Sequence, residues 1–232
     1  GGSLFLGVTL ESSGAPSVFS AERTMADITV PAVVIGQIIA GVIGVMVIGS
    51  EYSSGSVHPT FVAVPDRLRV LNAKAIVAGV TCAVAGAFTV LTAWAVTTPI
   101  YAQFGLDAQL TTPGVIPVLA GSALYLGLCA LFGVGVGTLV RSTTAGSIIV
   151  FLTTLLLPIA VSLLPFGILS RVLRIIQLGN AGDAMSRISE PGGPFLDVWT
   201  GHISLSAGSL IAVIWAAAAL IAGAAVLRVR DV

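Results

Sequence analysis

The sequence predicts an all-α polytopic membrane protein with six spans, the first of them truncated, in a single transmembrane domain over residues 1–232. Two observations predict it. First, charge is scarce. Asp, Glu, Lys and Arg make up 9% of the 232 residues, against about 25% in a soluble domain. Second, the charge is clustered. It leaves five uncharged runs, Ile28–Ser50, Ala75–Leu106, Ala108–Val140, Ser142–Ser170 and Val198–Leu227, of 23, 32, 33, 29 and 30 residues. Each exceeds the roughly 20 apolar residues that carry a helix across the hydrocarbon core. Five complete spans are therefore expected, centred near Ile39, Gly86, Gly127, Leu156 and Leu220. A soluble bundle has no use for five such runs in one short chain.

The elements follow in order. The chain opens on GGSLFLGVTL, an apolar stretch half a span long with no basic segment before it of the kind a signal peptide carries. The expectation is a first span that has lost its upstream half. Glu11–Asp27 is then an outer loop, and the second span follows it. A loop over residues 49–74 holds five of the chain's 20 charges, Glu51, Asp66, Arg67, Arg69 and Lys74. The third and fourth spans join on the outer side near YAQFGLDAQLTTPG, and only RSTTAG separates the fourth from the fifth. An outer segment over 168–206 precedes the sixth. No convincing internal repeat is present, which weighs against an inverted-repeat carrier.

Orientation follows from Lys and Arg in the short loops. With residues 49–74 in the cytoplasm, that side holds six basic residues, Arg67, Arg69, Lys74, Arg141, Arg228 and Arg230. The outer side holds four, Arg23, Arg171, Arg174 and Arg187. The carboxyl terminus, LRVRDV, is then cytoplasmic, and the protein is a multi-pass component of the cell membrane.

The outer segment has a pattern of its own. In LSRVLRIIQLGNAGDAMSRI, the polar residues Arg171, Arg174 and Gln177 recur every third position among Val172, Leu173, Ile175, Ile176 and Leu178. This predicts an amphipathic helix at the membrane interface, or re-entrant into it, ended by Gly179. SEPGGPF is a turn region. The segment reads equally as a cap and as a substrate gate.

No span carries Asp, Glu, Lys or Arg near its centre, which weighs against proton coupling, since a transported proton needs an ionisable group at depth. The strongest polar groups at depth are Gln37, Thr81, Thr89, Tyr125, Thr153, Thr154 and Ser162. Gln37, Thr81, Tyr125 and Thr153 are the candidate substrate-pathway residues. Each reads also as an interhelical hydrogen-bond partner. So few polar groups suit an amphipathic or apolar cargo. Small residues at four-residue spacing, Gly36 and Ala40, Gly79, Ala83 and Ala87, and Gly133 and Gly137, let backbones approach. The GVGVG stretch, Gly133–Gly137, is the most specific of them and predicts tight packing or a bend.

Other chemistries lack their residues. A phosphate loop needs a Gly-rich turn closed by Lys and Ser or Thr, and the single lysine, Lys74, follows RVLNA. The Gly-x-Ser-x-Gly elbow and the His-Glu-x-x-His helix are missing as well. His58 and His202 stand far apart, and Cys82 and Cys129 read as small apolar fillers, so no metal and no cofactor is expected in this chain. Nor is a nucleic-acid partner.

The loop over 49–74 has three physical parts. Ser50 can cap a short helix with Glu51 near its positive end. Tyr52, Val57, Phe61 and Val64 make a discontinuous apolar stripe, which Pro65 ends. Arg67, Arg69 and Lys74 anchor the next span at the headgroups. Such an element either lies on the membrane or fits a groove on a cytoplasmic partner.

SEYSSGSVHPTFVAVPDRLRVLNAK resembles the first cytoplasmic loop of ABC-2 type transporter permeases, especially those of actinobacterial kind. The family pattern of Glu-Tyr-x-x-Gly, a small and apolar stretch, Pro-x-Arg and a Lys opening the next span is matched by Glu51, Tyr52, Gly55, Pro65, Arg67 and Lys74. GNAG, Gly179–Gly182, resembles the outer segment before the family's last span, and LRVRDV its close. His58 and Pro59 depart from the family pattern, and Pro59 is expected to break or kink the helix it sits in. The resemblance implies a six-span transmembrane domain like that of type V exporters. It implies that the loop is a coupling helix docking a separate ABC ATPase subunit, which binds the ATP and Mg, and that a second permease chain completes a homodimer or heterodimer. Glu51, Tyr52, Gly55, His58, Phe61 and Arg67 become the candidate docking residues, with Glu51 either meeting the ATPase or pairing with Arg67 inside the loop. The function implied is export of an antibiotic, peptide, drug or lipid-like molecule. The alternatives are an energy-independent channel or secondary carrier, and a membrane scaffold that transports nothing.

Overall fold

In the computed structural model the described residues are 17–54, 67–103, 108–165, 167–188 and 203–229. Among them the regular structure is all helical. α1 is Ser17–Ser54, α2 Arg67–Ala102, α3 Val115–Val140 and α4 Thr143–Phe151. A π-helical turn, Leu152–Leu156, joins α4 to α5, Leu157–Ser162. Then come α6, Ile168–Ile176, α7, Leu178–Met185, and α8, Leu205–Val229. Five helical stretches are long and apolar enough to cross a membrane: Thr24–Ser50, Leu68–Ala102, Val115–Val140, Thr143–Ser162 and Leu205–Arg228. These are the five complete spans expected from the uncharged runs. The half-span at Gly1–Leu10 lies outside the described residues.

α3 is the centre of the bundle. Its sequence, VIPVLAGSALYLGLCALFGVGVGTLV, is apolar around the whole circumference, and a helix of that kind is stable only when covered on all sides. α1, α2 and α8 pack on it, and α7 covers its first turns. The outer helices bury one face and turn apolar side chains outward, as with Ile76, Val77, Val80, Val84 and Phe88 of α2. A surface of that composition is solvated by lipid.

Glycines set the contacts of α3. A Cβ on Gly133 would stand 2.9 Å from the Gly41 carbonyl carbon of α1, and one on Gly137 2.9 Å from the Val45 carbonyl oxygen. Gly135, on another face, lies against the Ala219–Leu220 backbone of α8, while Gly127 faces the Gly79 carbonyl of α2. The GVGVG stretch therefore serves two neighbours at once, with residues 133 and 137 toward α1 and residue 135 toward α8. It produces close packing and no bend, since α3 is continuous from Val115 to Val140.

The turn between α3 and α4 needs two residues. Arg141 takes the left-handed conformation (φ 57°) and its N–H donates to the Gly137 carbonyl at 2.9 Å. Ser142 then caps α4, its hydroxyl accepting from the Ala145 N–H at 3.3 Å.

Three sequence expectations change. The outer loop predicted over Glu11–Asp27 is helical from Ser17 onward. Ala21, Met25 and Ile28 recur at helical spacing and are all buried, Met25 within a cluster with Val90, Val115 and Val118. That apolar stripe outweighs the charges at Glu22 and Asp27, which lie between its members. Ser50 is not a helix cap. It lies inside α1, and its hydroxyl donates to the Met46 carbonyl one turn back at 2.6 Å. Glu51 thus falls in the last turn of α1, at the negative end of that helix rather than the positive end of another. Finally, the amphipathic helix ends at Ile176 and not at Gly179. Gln177 adopts an extended conformation (φ −69°, ψ 139°) that divides α6 from α7, and Gly179 belongs to α7.

Candidate functional site

α6 and α7 form a hairpin whose tip, Gln177, is driven between the spans. Three hydrogen bonds fix its depth. Trp215 Nε1 of α8 donates to the Ile176 carbonyl at 2.7 Å. The Tyr125 hydroxyl of α3 contacts the Leu178 carbonyl at 3.0 Å. The Thr29 hydroxyl of α1 donates to the Ser186 carbonyl just beyond α7. Tyr125 follows Val115, the first residue of α3, by ten positions, and Trp215 follows Leu205, the first of α8, by ten. At 1.5 Å per residue both lie roughly 15 Å along their helices from the same end of the bundle. Thr29 lies closer to that end, five positions after Thr24. The chain therefore descends along α6 to the middle of the bundle and climbs back along α7.

α6 descends with its apolar face outward. Ile168, Leu169, Val172 and Ile176 are exposed, whereas Ser170 is buried and Arg171 and Arg174 are half-buried on the inward side. Arg174 Nη2 donates to the Ser162 carbonyl, at the carboxyl end of α5, at 3.3 Å. A cation at that place meets the negative end of the helix dipole.

Four polar groups meet at the tip. Gln37 stands at the midpoint of Thr24–Ser50 and is 3% exposed. Its Oε1 accepts from the Tyr125 hydroxyl at 2.6 Å, and its Nε2 donates to the Thr154 carbonyl at 3.3 Å. Tyr125 shares its single proton between Gln37 and the Leu178 carbonyl. One clasp thus joins α1, α3, the π-turn and α7. In a membrane core, each of these groups would otherwise be an unsatisfied dipole.

Local sequence explains why Thr154 offers its carbonyl. In an α-helix that oxygen accepts from the N–H four residues on, and here that residue is Pro158, which has none. The helix widens into the π-turn at this point, and the Leu157 N–H bonds to the Leu152 carbonyl, five residues back. Gly179 presses on the same carbonyl, and a Cβ there would also meet the Pro158 ring at 2.5 Å. A Cβ on Gly182 would stand 2.5 Å from the Tyr125 ring and 2.7 Å from its hydroxyl. The two glycines of GNAG therefore bring α7 onto the clasp beside the bond at the Leu178 carbonyl.

Of the four predicted pathway residues, Gln37 and Tyr125 are brought together, as interhelical hydrogen-bond partners. Thr81 is exposed on the outward face of α2. Thr153 turns its hydroxyl to the Ile149 and Val150 carbonyls of its own helix. Its neighbour Thr154, 1% exposed, occupies the clasp instead. The signal for this choice was Pro158, four residues after Thr154. Leu178 enters only through its backbone, which no sequence pattern marks.

The docking candidates fall where α1 ends and α2 begins, or in the sequence between them. Glu51 and Tyr52 lie in the last turn of α1, and Arg67 opens α2, but their side chains fall outside the described residues. Gly55, His58 and Phe61 lie wholly outside them. Among the described residues no group of three or more His, Cys, Asp or Glu gathers to hold a metal. Cys82 and Cys129 are buried free thiols.

A family model described as ABC-2 family transporter protein matches residues 8–221 of the chain. Among curated proteins and among solved structures none matches.

Proposed function

The chain belongs to the ABC-2 family of transporter proteins, and from that premise we propose that it is the permease subunit of an ATP-driven exporter. The observation that carries this is the family match over residues 8–221 on a chain with five span-length apolar helices. A separate ABC ATPase binds the ATP and Mg and docks on residues 49–74, where Glu51, Tyr52, Gly55, His58, Phe61 and Arg67 meet it. A second permease chain completes the pathway, as a homodimer or heterodimer. The cargo is amphipathic or hydrophobic, an antibiotic, peptide, drug or lipid-like molecule. Support comes from the described spans, whose buried residues are mostly apolar, include no charged side chain, and hold few polar groups, Gln37, Ser122 and Thr138 among them. In this reading the carboxyl terminus is cytoplasmic and α6–α7 is a re-entrant hairpin entering from the outer face.

Purification of the chain from its native host in mild detergent tests the proposal. A stoichiometric ATPase with vanadate-sensitive hydrolysis is the expected result. A chain free of any ATPase returns the protein to the channel, carrier and scaffold readings. Within the complex, Glu51→Lys is expected to weaken ATPase association about tenfold, the scale of one well-placed interface residue, while the thermal midpoint of the isolated permease stays put. Unchanged association would remove Glu51 from the docking surface.

A further inference from the structure

We propose that α1 is a lever on the α6–α7 hairpin: Gln37 and Thr29 latch the hairpin between the spans, and movement of α1 along α3 releases it at the π-turn. The lever's drive rests on the reading that residues 49–74 dock an ATPase; the latch itself does not.

Three features place the lever. α1 is continuous from Ser17 to Ser54, 38 residues or about 57 Å, with Pro31 inside it. Gln37 lies on the Glu51 side of that proline, so displacement at the Glu51 end reaches Gln37 through a stretch of helix free of proline, and Thr29 lies just beyond it. α1 carries three bonds that reach the hairpin or its seat from this side, Thr29 to the Ser186 carbonyl and Gln37 to Tyr125 and Thr154. Its contact with α3 runs through glycine and backbone, Gly41 on Gly133, Gly44 on the Ala130 carbonyl and Val45 on Gly137. At these three places no long side chain interdigitates, and small sliding of one helix on the other meets little obstruction there, which is the shear type of motion. Nearer the hairpin, Leu126 of α3 rests on Gly36 and must slide with it.

The latch is sensitive to such a slide. The Gln37–Tyr125 contact is 2.6 Å, and about 1 Å of travel takes it out of hydrogen-bonding range. Withdrawal of Gln37 also leaves the Thr154 carbonyl without its donor from α1, at a place where Pro158 denies it the ordinary helical one. The π-turn is then the cheapest part of the α4–α5 span to re-register, and Gly179, resting on that carbonyl, moves with it. The hairpin then loses its hold at Ser186 and its seat on the π-turn at Gly179, and is left with the bonds from Tyr125 to Leu178 and from Trp215 to Ile176.

Amide hydrogen exchange on the full chain in lipid nanodiscs tests this. Tyr125→Phe keeps the ring beneath Gly182 and removes only the hydroxyl, and Thr29→Val removes the other bond. Each is expected to speed exchange across Leu178–Met185 by about tenfold or more, with α2 and the carboxyl half of α8 unchanged. Unchanged exchange in the hairpin in both variants overturns the latch. So does acceleration spread evenly over α2, α8 and the hairpin in both, because that reports general loosening. With the ATPase present, wild-type hairpin exchange is expected to depend on nucleotide, and Gln37→Leu to remove that dependence. Nucleotide dependence that survives Gln37→Leu overturns the lever. If no ATPase binds, the exporter reading fails and the drive with it, while the comparison without nucleotide still decides the latch.

Discussion

Replacing Gly133 with valine is expected to abolish the folded protein. The new Cβ would fall on the Gly41 peptide of α1, 2.9 Å from its carbonyl carbon and 3.1 Å from its Cα, and nearer still to the oxygen. Those are backbone atoms, which have no rotamer to change. α1 must move off α3, and with it go Gly44 against the Ala130 carbonyl and Val45 against Gly137. Overpacking of a core costs about 1–3 kcal/mol where side chains can adjust. Here they cannot, so the loss is expected at or above about 3 kcal/mol, a large share of the 5–15 kcal/mol that folded domains have in total. Helix association in lipid has no strong hydrophobic drive to offset it. Fluorescence-detected size exclusion after extraction checks the outcome: Gly133→Val should give aggregate or no peak. Gly167→Ala is the control. A Cβ there meets nothing within 4 Å, and Gly167 is extended at φ −165°, open to any residue. Its effect should stay within about 0.5 kcal/mol. A monodisperse Gly133→Val protein with wild-type melting would refute the backbone contact between α1 and α3.

The spans were legible because their signal is one-dimensional. A run such as Ala108–Val140 states its length and its lack of charge without reference to any neighbour, and α3 lies within it. GVGVG was legible as a packing signal for the same reason, but which glycine faces which helix depends on the positions of α1 and α8. The start of α1 was misread because Glu22 and Asp27 suggested a loop, whereas burial of Met25 depends on Val90 and Val115, far along the chain. The clasp was half legible. Gln37 and Tyr125 stand out as polar groups at depth, yet they are 88 residues apart, and nothing local pairs them. α6 hid its depth altogether. Its alternation of Arg and apolar residues predicts a helix at the interface or re-entrant from it, and the choice between them rests on the bonds from Trp215, Tyr125 and Thr29 to Ile176, Leu178 and Ser186. The loop at residues 49–74 carried the functional resemblance, while the polar contacts at depth gather at the hairpin.

Gly182→Val is expected to undock the hairpin while leaving the bundle folded. Its Cβ would stand 2.5 Å from two atoms of the Tyr125 ring, and that ring is wholly buried and held by bonds to Gln37 and Leu178. Either the ring or α7 must yield. The ring is enclosed in the main core cluster with Leu126 and Cys129 of α3 and Val33 of α1, whereas α7 is eight residues long and belongs to no span. α7 therefore gives way, and the loss is local. The midpoint of thermal unfolding should fall by only a few degrees, while proteolysis or hydrogen exchange across Leu178–Met185 rises by about a hundredfold, the equivalent of roughly 2.7 kcal/mol of local stability. This ratio separates it from Gly133→Val, which should take both readouts down together. Tyr125→Ala supplies the decisive second change. It opens space where the valine points, so the double variant should exchange more slowly in α7 than Gly182→Val alone, a coupling of opposite sign to simple addition. If the double variant is instead as loose as the sum of the two, the Gly182–Tyr125 contact does not seat the hairpin. On the exporter proposal, an undocked hairpin would leave that end of the pathway open whatever nucleotide is bound. Gly182→Val should then raise ATP hydrolysis in the absence of cargo and lower the cargo moved per ATP.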